Sequence, residues 1–406
     1  MESAVRRGGA GAAGHPAGGG PGSRIGLSMS HPPSSPAPAA ASPAPGTAAV
    51  AWADPARHAA FDAWLAPLAA AHGVLPHTLR PASADASFRR YLRLDRAGGG
   101  SCIVMDAPPD KEDCRPFAHV QGLMQAAGLR VPDILAWDEA NGFMLLSDLG
   151  RQTVIERLDP ARPDAAHAWY MQAADTLLQW QLASRPGVLP AYDEPLLRRE
   201  LALFPDWYVA RHRAGVVLDD TQQATLQRAF DAIVRENLAA PQVFVHRDFM
   251  TRNLMAHPDG DRAPLGVLDF QDAVYGPITY DIASLLRDAF ISWDEEFVID
   301  ITVRYWEKAR RAGLLGAGSA SGWGDDFGEF YRGVEWMGLQ RHLKVAGIFA
   351  RLTLRDGKPR YLADAPRFIG YIRSTADRYR ELGPLLKVID HIEGTQAPMG
   401  YAFGRV

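Results

Sequence analysis

The run His246-Arg247-Asp248-Phe249-Met250-Thr251-Arg252-Asn253, followed sixteen residues later by Asp269-Phe270-Gln271, constrains this chain more than any other feature. It reads H-R-D-x-x-x-x-N and then D-F-x. The spacing has a chemical logic. An aspartate delivered just after a strand can accept the proton of a substrate hydroxyl. An asparagine five residues on reaches a divalent metal from the same loop, and a second aspartate, ending the next strand, holds metal across a set of phosphates. Apolar runs lie where those strands are needed: Val243-Phe244-Val245 before the first motif, and Leu265-Gly266-Val267-Leu268 directly before the second. H-R-D alone would read as a buried polar turn. With asparagine at the right offset, two flanking strands and D-F behind, the pattern reads as a phosphoryl-transfer site, and the chain as an enzyme.

Bulk properties remove other classes. The 406 residues are 47% apolar and 22% charged, ordinary for a soluble chain with a sizeable core. A net charge of −4 without any Lys/Arg run argues against nucleic-acid or membrane-surface partners. Two cysteines, Cys102 and Cys114, are too few for a secreted disulfide framework and form no close metal-ligand pair. No stretch approaches the ~18 consecutive apolar residues of a spanning helix. Arg6 and Arg7 are followed by Gly, Ala and Pro, which makes a poor signal peptide. A cytoplasmic protein, acting as a monomer on a small molecule, is the expectation.

Three regions are expected. Residues 1–53, rich in Gly, Ala, Pro and Ser, read as a disordered tail containing a second possible start, Met29. Residues 54–150 read as a small β-rich lobe. It has a helix over 55–72, strands over 87–94 and 101–105, a helix over 113–127 stopped by Gly128, and a hairpin over 134–147 turning at Asn141-Gly142. Residues 151–406 read as a larger lobe. Helical periodicity covers 165–183, 196–214 and 221–237 before the motif strands, and 281–290, 296–312, 327–349 and 366–382 after them. The class is α+β, a bilobal kinase-like architecture with its site in the cleft between lobes.

H-R-D-x-x-x-x-N and D-F-Q, followed by Gly276-Pro277-Ile278-Thr279-Tyr280-Asp281-Ile282-Ala283, resemble the aminoglycoside phosphotransferase (APH) family of small-molecule kinases over roughly residues 75–350. More narrowly, Gly266-Val267-Leu268-Asp269-Phe270-Gln271-Asp272-Ala273, running through Tyr275-Gly276-Pro277 to Ser284-Leu285-Leu286-Arg287-Asp288, is similar to the bacterial N-acetylmuramate/N-acetylglucosamine kinases. The resemblance implies ATP and Mg²⁺, and phosphorylation of the anomeric hydroxyl of an amino sugar in peptidoglycan recycling. Aminoglycoside, choline and homoserine kinases share the scaffold and remain open as readings. Protein kinases do not fit: only eleven residues separate Asp269 from Asp281, with no A-P-E motif, which leaves no room for a peptide platform.

Asp248 is the expected base, and Asn253 and Asp269 the expected magnesium ligands. His246 is expected to stabilise the loop. Arg252 is a candidate for the transferring phosphate or a substrate carboxylate, or else a solvated side chain. Asp281, where the family ties down its catalytic loop, would otherwise be a helix cap; Asp272 is a metal neighbour or a turn residue. Ser83–Tyr91 occupies the place of the phosphate-covering hairpin without its glycines, with Ser87 a candidate phosphate contact. Ser147 and Leu149, in Leu145-Leu146-Ser147-Asp148-Leu149-Gly150, sit where the family's adenine-binding hinge lies. One departure stands out. The strand Ser101-Cys102-Ile103-Val104-Met105-Asp106 has no phosphate-binding Lys, and the following helix has no partner Glu, Glu112 falling just before it. Arg89, Arg90 or Lys111 is expected to take over the charge; the alternative is a nucleotide-binding pseudokinase. For the acceptor, Trp207 and Tyr208 are candidate stacking residues, and Arg199, Arg287 and Arg341 candidate carboxylate partners, against ordinary core or surface roles.

Overall fold

The computed structural model describes residues 50–83, 88–260, 263–316 and 322–395. The expected tail up to residue 49 lies outside them, as does Ser87. Trp52, read from the sequence as tail, stacks on His58 with ring centroids 5.0 Å apart.

The small lobe is an antiparallel five-stranded sheet with a helix on each face. Helix α1 (Pro55–His72) is capped by the Asp54 side chain. Strands β1 (Arg80–Ser83), β2 (Arg90–Asp95) and β3 (Ser101–Asp106) precede helix α2 (Arg115–Ala126), and β4 (Ile134–Asp138) and β5 (Phe143–Ser147) follow. The spatial order is β1-β2-β3-β5-β4. The hairpin turns at Gly142 with φ 68, where a Cβ would lie 1.9 Å from the Ala107 carbonyl oxygen, so only glycine fits.

Side chains alternate across β2, and this alternation decides the fate of two arginines. Leu92 and Leu94 face α1, packing with Phe61, Leu65, Cys102 and Val104. Arg90 shares that face. Tyr91 and Arg93 point the other way, to the cleft, as does Ile103. Met105, next on the cleft side of β3, joins Phe117, Val120 and Met124 of α2 in the main core.

The larger lobe is helical: α3 (Pro163–Leu182), α4 (Glu194–Leu203), α5 (Asp220–Leu238), α6 (Thr279–Leu286), α7 (Glu295–Arg311), α8 (Phe327–Leu354), α9 (Ala365–Arg378) and α10 (Gly383–Glu393). Helix α8 is buried on most of its circumference and packs against α4, α5, α6 and α9. The helix expected over 196–214 is not uniform. After Leu203 it widens into a π-helical segment, Phe204–His212, where Pro205 has no N–H to continue the ladder. Among the described residues, no helix is long and apolar enough to cross a membrane.

Four short strands carry the motifs. Strand β6 (Gln242–Val245) pairs with β9 (Val274–Pro277), and β7 (Leu254–Met255) with β8 (Gly266–Val267). Gly266 is required by close packing: a Cβ would lie 2.8 Å from Leu149 Cδ1 and 3.2 Å from Arg130 Nη1. Leu149 therefore rests directly on the strand that precedes Asp269.

Candidate active site

Beyond β6 the chain enters the loop that carries Asp248, and two buried groups fix its course. The Asp281 carboxylate, in the first turn of α6, accepts the backbone N–H groups of His246 at 2.6 Å and Arg247 at 3.0 Å. Burial pushes this carboxyl up to about 7, against the pull of those donors. His246 is fully enclosed, and burial pushes its imidazole down to about 4. The ring is neutral at pH 7. Its Nε2 lies 3.0 Å from the Leu268 carbonyl and its Nδ1 accepts the Asp248 N–H at 3.2 Å, which assigns the proton to Nε2. One histidine thus joins the two motif segments.

Behind the loop, Glu200 of α4 receives three partners: Arg247 at 2.6 Å, Lys344 of α8 at 2.9 Å, and the Tyr192 hydroxyl at 2.5 Å. Burial alone would raise the Glu200 carboxyl, yet Lys344 and then Arg247 hold it below its ordinary value. Lys344 also donates to the Tyr280 hydroxyl at 3.0 Å. Arg247 (φ 77) and Asp269 (φ 64) are the non-glycine residues with left-handed backbone among those described, and both lie in the motifs. Such conformations cost about 1–2 kcal/mol each and persist only where surrounding contacts over-determine them.

Asp248, Asn253 and Asp269 all border one cleft of ≈ 450 Å³. Asn253 Nδ2 donates to the Asp248 carbonyl at 2.9 Å and to Asp269 Oδ2 at 3.3 Å, while Gln271 donates to Asp269 Oδ1 at 2.9 Å. The Asp248 carboxylate takes no hydrogen bond from the described residues. Asn253 and Asp269 make an oxygen-donor pair that suits a hard divalent cation drawing its remaining ligands from phosphate and water. Among the described residues, no group of three or more His, Cys, Asp or Glu side chains could hold a metal by itself.

At the small-lobe end, Ser147, Asp148 and Leu149 border the cleft as expected. The Ser147 hydroxyl is engaged by the Asp133 N–H at 2.8 Å. Arg93, not anticipated, grips Asp148 through Nε at 2.6 Å and Nη2 at 3.1 Å. Phe117 of α2 packs on Phe270 with centroids 4.8 Å apart, joining the helix to the D-F-Q loop through an aromatic pair.

The three cations expected to replace the missing lysine separate clearly. Arg90 is corrected: it lies on the α1 side of the sheet, bound to Asp106 and, at 2.8 Å, to the Ala51 carbonyl. Lys111 is exposed beside Asp110 at 3.3 Å. Arg89 is half-buried and meets Glu112 at 3.1 Å. This pair lies just ahead of β2 and α2, and neither Arg89 nor Glu112 is among the residues bordering the cleft.

At the large-lobe end, Arg252, Arg287 and Arg341 border the cleft. Arg252 is exposed and lies over the Phe290 ring at 4.6 Å. Arg287 is held by Glu295 at 2.9 Å. Trp207 and Tyr208 are corrected: neither borders the cleft. Arg211 covers Trp207 at 4.3 Å, and Tyr208 is buried with its hydroxyl 2.9 Å from Glu393, because the π-helical turn rotates both away. Arg199 is exposed outside the cleft, and Asp272 is exposed, with only its carbonyl contacting Arg247, at 3.4 Å. Glu200, Tyr280 and Lys344 were missed. Their common signal, a network of buried polar side chains far apart in sequence, needs the tertiary contact to be seen.

A small sheet over a helical lobe, with an H-R-D loop and a D-F-Q loop meeting in the cleft, defines a kinase-type phosphotransferase. Residues 78–314 match the sequence profile of the phosphotransferase enzyme family, APH, and the chain belongs to that family. It is 50% identical to the N-acetylmuramate/N-acetylglucosamine kinase of Pseudomonas aeruginosa, over 83% of this chain and 96% of that one. It is 48% identical to the enzyme of the same name from Neisseria meningitidis serogroup B, over 78% and 90%. The choline kinase of Cryptosporidium parvum shares the fold at a TM-score of 0.51 and 10% identity, covering 77% of this chain and 92% of that one.

Proposed function

We propose that this protein transfers the γ-phosphoryl group of ATP, with Mg²⁺, to the anomeric C1 hydroxyl of N-acetylmuramate or N-acetylglucosamine, in the recycling of cell-wall sugars. The observation that carries the reading is the meeting of Asp248, Asn253 and Asp269 in one cleft. Identity near one half with kinases named for these two sugars narrows the acceptor.

Asp248 orients the C1 hydroxyl and takes its proton as the new O–P bond forms and the β–γ bridge breaks to release ADP. An anomeric hydroxyl is more acidic than an ordinary alcohol, which eases transfer to a carboxylate. Asn253 and Asp269 would hold Mg²⁺, which neutralises phosphate charge when bound. Leu149 and the neighbouring backbone receive the adenine edge. Arg89, set against Glu112, supplies the charge that the lysine gives elsewhere, and Arg252, beside Asn253, faces the transferring group. Most of the catalysis is positioning and electrostatics, which is why the loop is pinned by His246 and Asp281.

Mass spectrometry of a panel of N-acetylmuramate, N-acetylglucosamine, kanamycin and choline with ATP and Mg²⁺ tests the reading. Phosphorylation of the two amino sugars is expected. Modification of kanamycin or choline alone would replace the acceptor, and nucleotide binding without any product would make the chain a pseudokinase.

A further inference from the structure

The cations bordering the cleft are not equivalent. Arg93 is gripped by Asp148, Arg287 by Glu295 and Lys344 by Glu200. Arg151 and Arg252 are exposed. Arg341 is different. It is only 5% exposed, and among the described residues it has neither an ion pair nor a hydrogen bond. Its Nε is sealed from solvent without a partner, and its one recorded contact is the face of Tyr280, at 5.2 Å.

A guanidinium offers five N–H donors; here the Nε–H is sealed without a partner, at the cost of its desolvation, and the Nη groups have no protein partner among the described residues. Two buried acids share its field without satisfying it. Asp281 spends its oxygens on the His246 and Arg247 N–H groups, and Asp288 on Thr251 at 3.1 Å and the Phe290 N–H at 2.9 Å. They balance charge at a distance but leave the fork empty. The adjacent His342 also has a buried Nδ1 without a partner, its Nε2 being 3.2 Å from the Arg287 carbonyl. This wall of the cleft therefore holds a guanidinium without a protein partner among the described residues beside an unmet acceptor. Tyr280, which Arg341 covers, precedes the Asp281 that anchors the catalytic loop, and Asp248, Tyr280 and Arg341 border the same space.

We infer that Arg341 receives the carboxylate of an acidic acceptor, and that it is the residue by which this cleft favours N-acetylmuramate, with its lactyl carboxylate, over the neutral N-acetylglucosamine. The inference rests on the amino-sugar kinase reading above. A planar fork matches a carboxylate bidentately, and such charge-assisted pairs are the strong ones. The neutral sugar leaves the fork to water, so the pair acts on selectivity rather than on chemistry at C1.

The test is the ratio of kcat/KM for N-acetylmuramate to kcat/KM for N-acetylglucosamine, in the full-length wild type, Arg341→Gln and Arg341→Lys. A ratio cancels any loss of folded enzyme common to both substrates. In Arg341→Gln the ratio is expected to fall about tenfold to a hundredfold, and in Arg341→Lys, which keeps the charge but not the fork, by less. An unchanged ratio in both variants overturns the inference, whatever the absolute rates. A wild type that phosphorylates neither sugar overturns the underlying reading instead, and that result is visible before any variant is made.

Discussion

The two sides of the cleft are built to different standards of redundancy. On the large-lobe side, the loop bearing Asp248 is fixed by Asp281 at its backbone, by His246 to the neighbouring motif, and by Arg247 to Glu200. On the small-lobe side, the strand and helix carry Ile103, Met105 and Phe117 where the large-lobe side carries buried ion pairs, and the charged pair Arg89–Glu112 lies outside these elements. On the proposed reading the cation that receives the nucleotide is relocated, which a point charge near phosphate tolerates. The base and metal ligands cannot be relocated, because those must meet one reacting atom within a few tenths of an ångström.

The largest effect expected from this asymmetry is at Asp248. Asp248→Asn should lower kcat by about 10²–10⁴-fold with an unchanged melting temperature, and a wild-type rate would remove it as the base. Next comes its anchor. Asp281→Ala leaves two buried N–H groups unmet, so it should cost about 1–3 kcal/mol of stability by denaturant titration and a large part of kcat. Full activity in that variant would mean the loop holds its shape unaided.

Two pH series sharpen the same side. Asp281 is raised on folding, so its contribution to stability is complete below about pH 4 and is lost as pH rises through about 7. Asp281→Asn should therefore gain on the wild type over that window. His246 is lowered, so its contribution is complete above pH 6.5 and is lost as pH falls through about 4; His246→Gln should gain on the wild type in the opposite direction. Melting curves across pH 4 to 7.5 read both, and parallel curves would contradict the burial argument.

The small-lobe side should respond more mildly. Arg89→Ala is expected to weaken ATP binding about tenfold by titration calorimetry while Arg90→Ala leaves affinity alone, since Arg90 lies behind the sheet. Equal losses would mean that Arg89 is not the cation that receives the nucleotide. The smallest effect is at Trp207, outside the cleft: Trp207→Ala should leave the sugar KM within about twofold.

The convergence of Asp248, Asn253 and Asp269 on one cleft was legible in the chain because these residues are local: they announce themselves by spacing, and Asp281 by its place at the start of α6. The fold was legible where periods are long. Helix α1 matches its expected bounds, while β1, β7, β9 and α10 were not anticipated; β7, only two residues long, has no period to read. That Arg90 lies behind the sheet was latent in the two-residue alternation of β2 and needed the strand's facing to become explicit. Trp207 and Tyr208 failed because Pro205 rewinds the helix beneath them. The Glu200–Lys344 pair was illegible because its members lie on α4 and α8 and meet only in the folded lobe.

The site of phosphorylation tests the central claim most directly. Phosphorus NMR of the product formed from N-acetylmuramate and ATP distinguishes the outcomes without any variant. A phosphorus resonance coupled to the anomeric proton, in a sugar that no longer reduces alkaline copper, is the predicted result. A resonance coupled to the C6 methylene protons of a sugar that still reduces copper would contradict it.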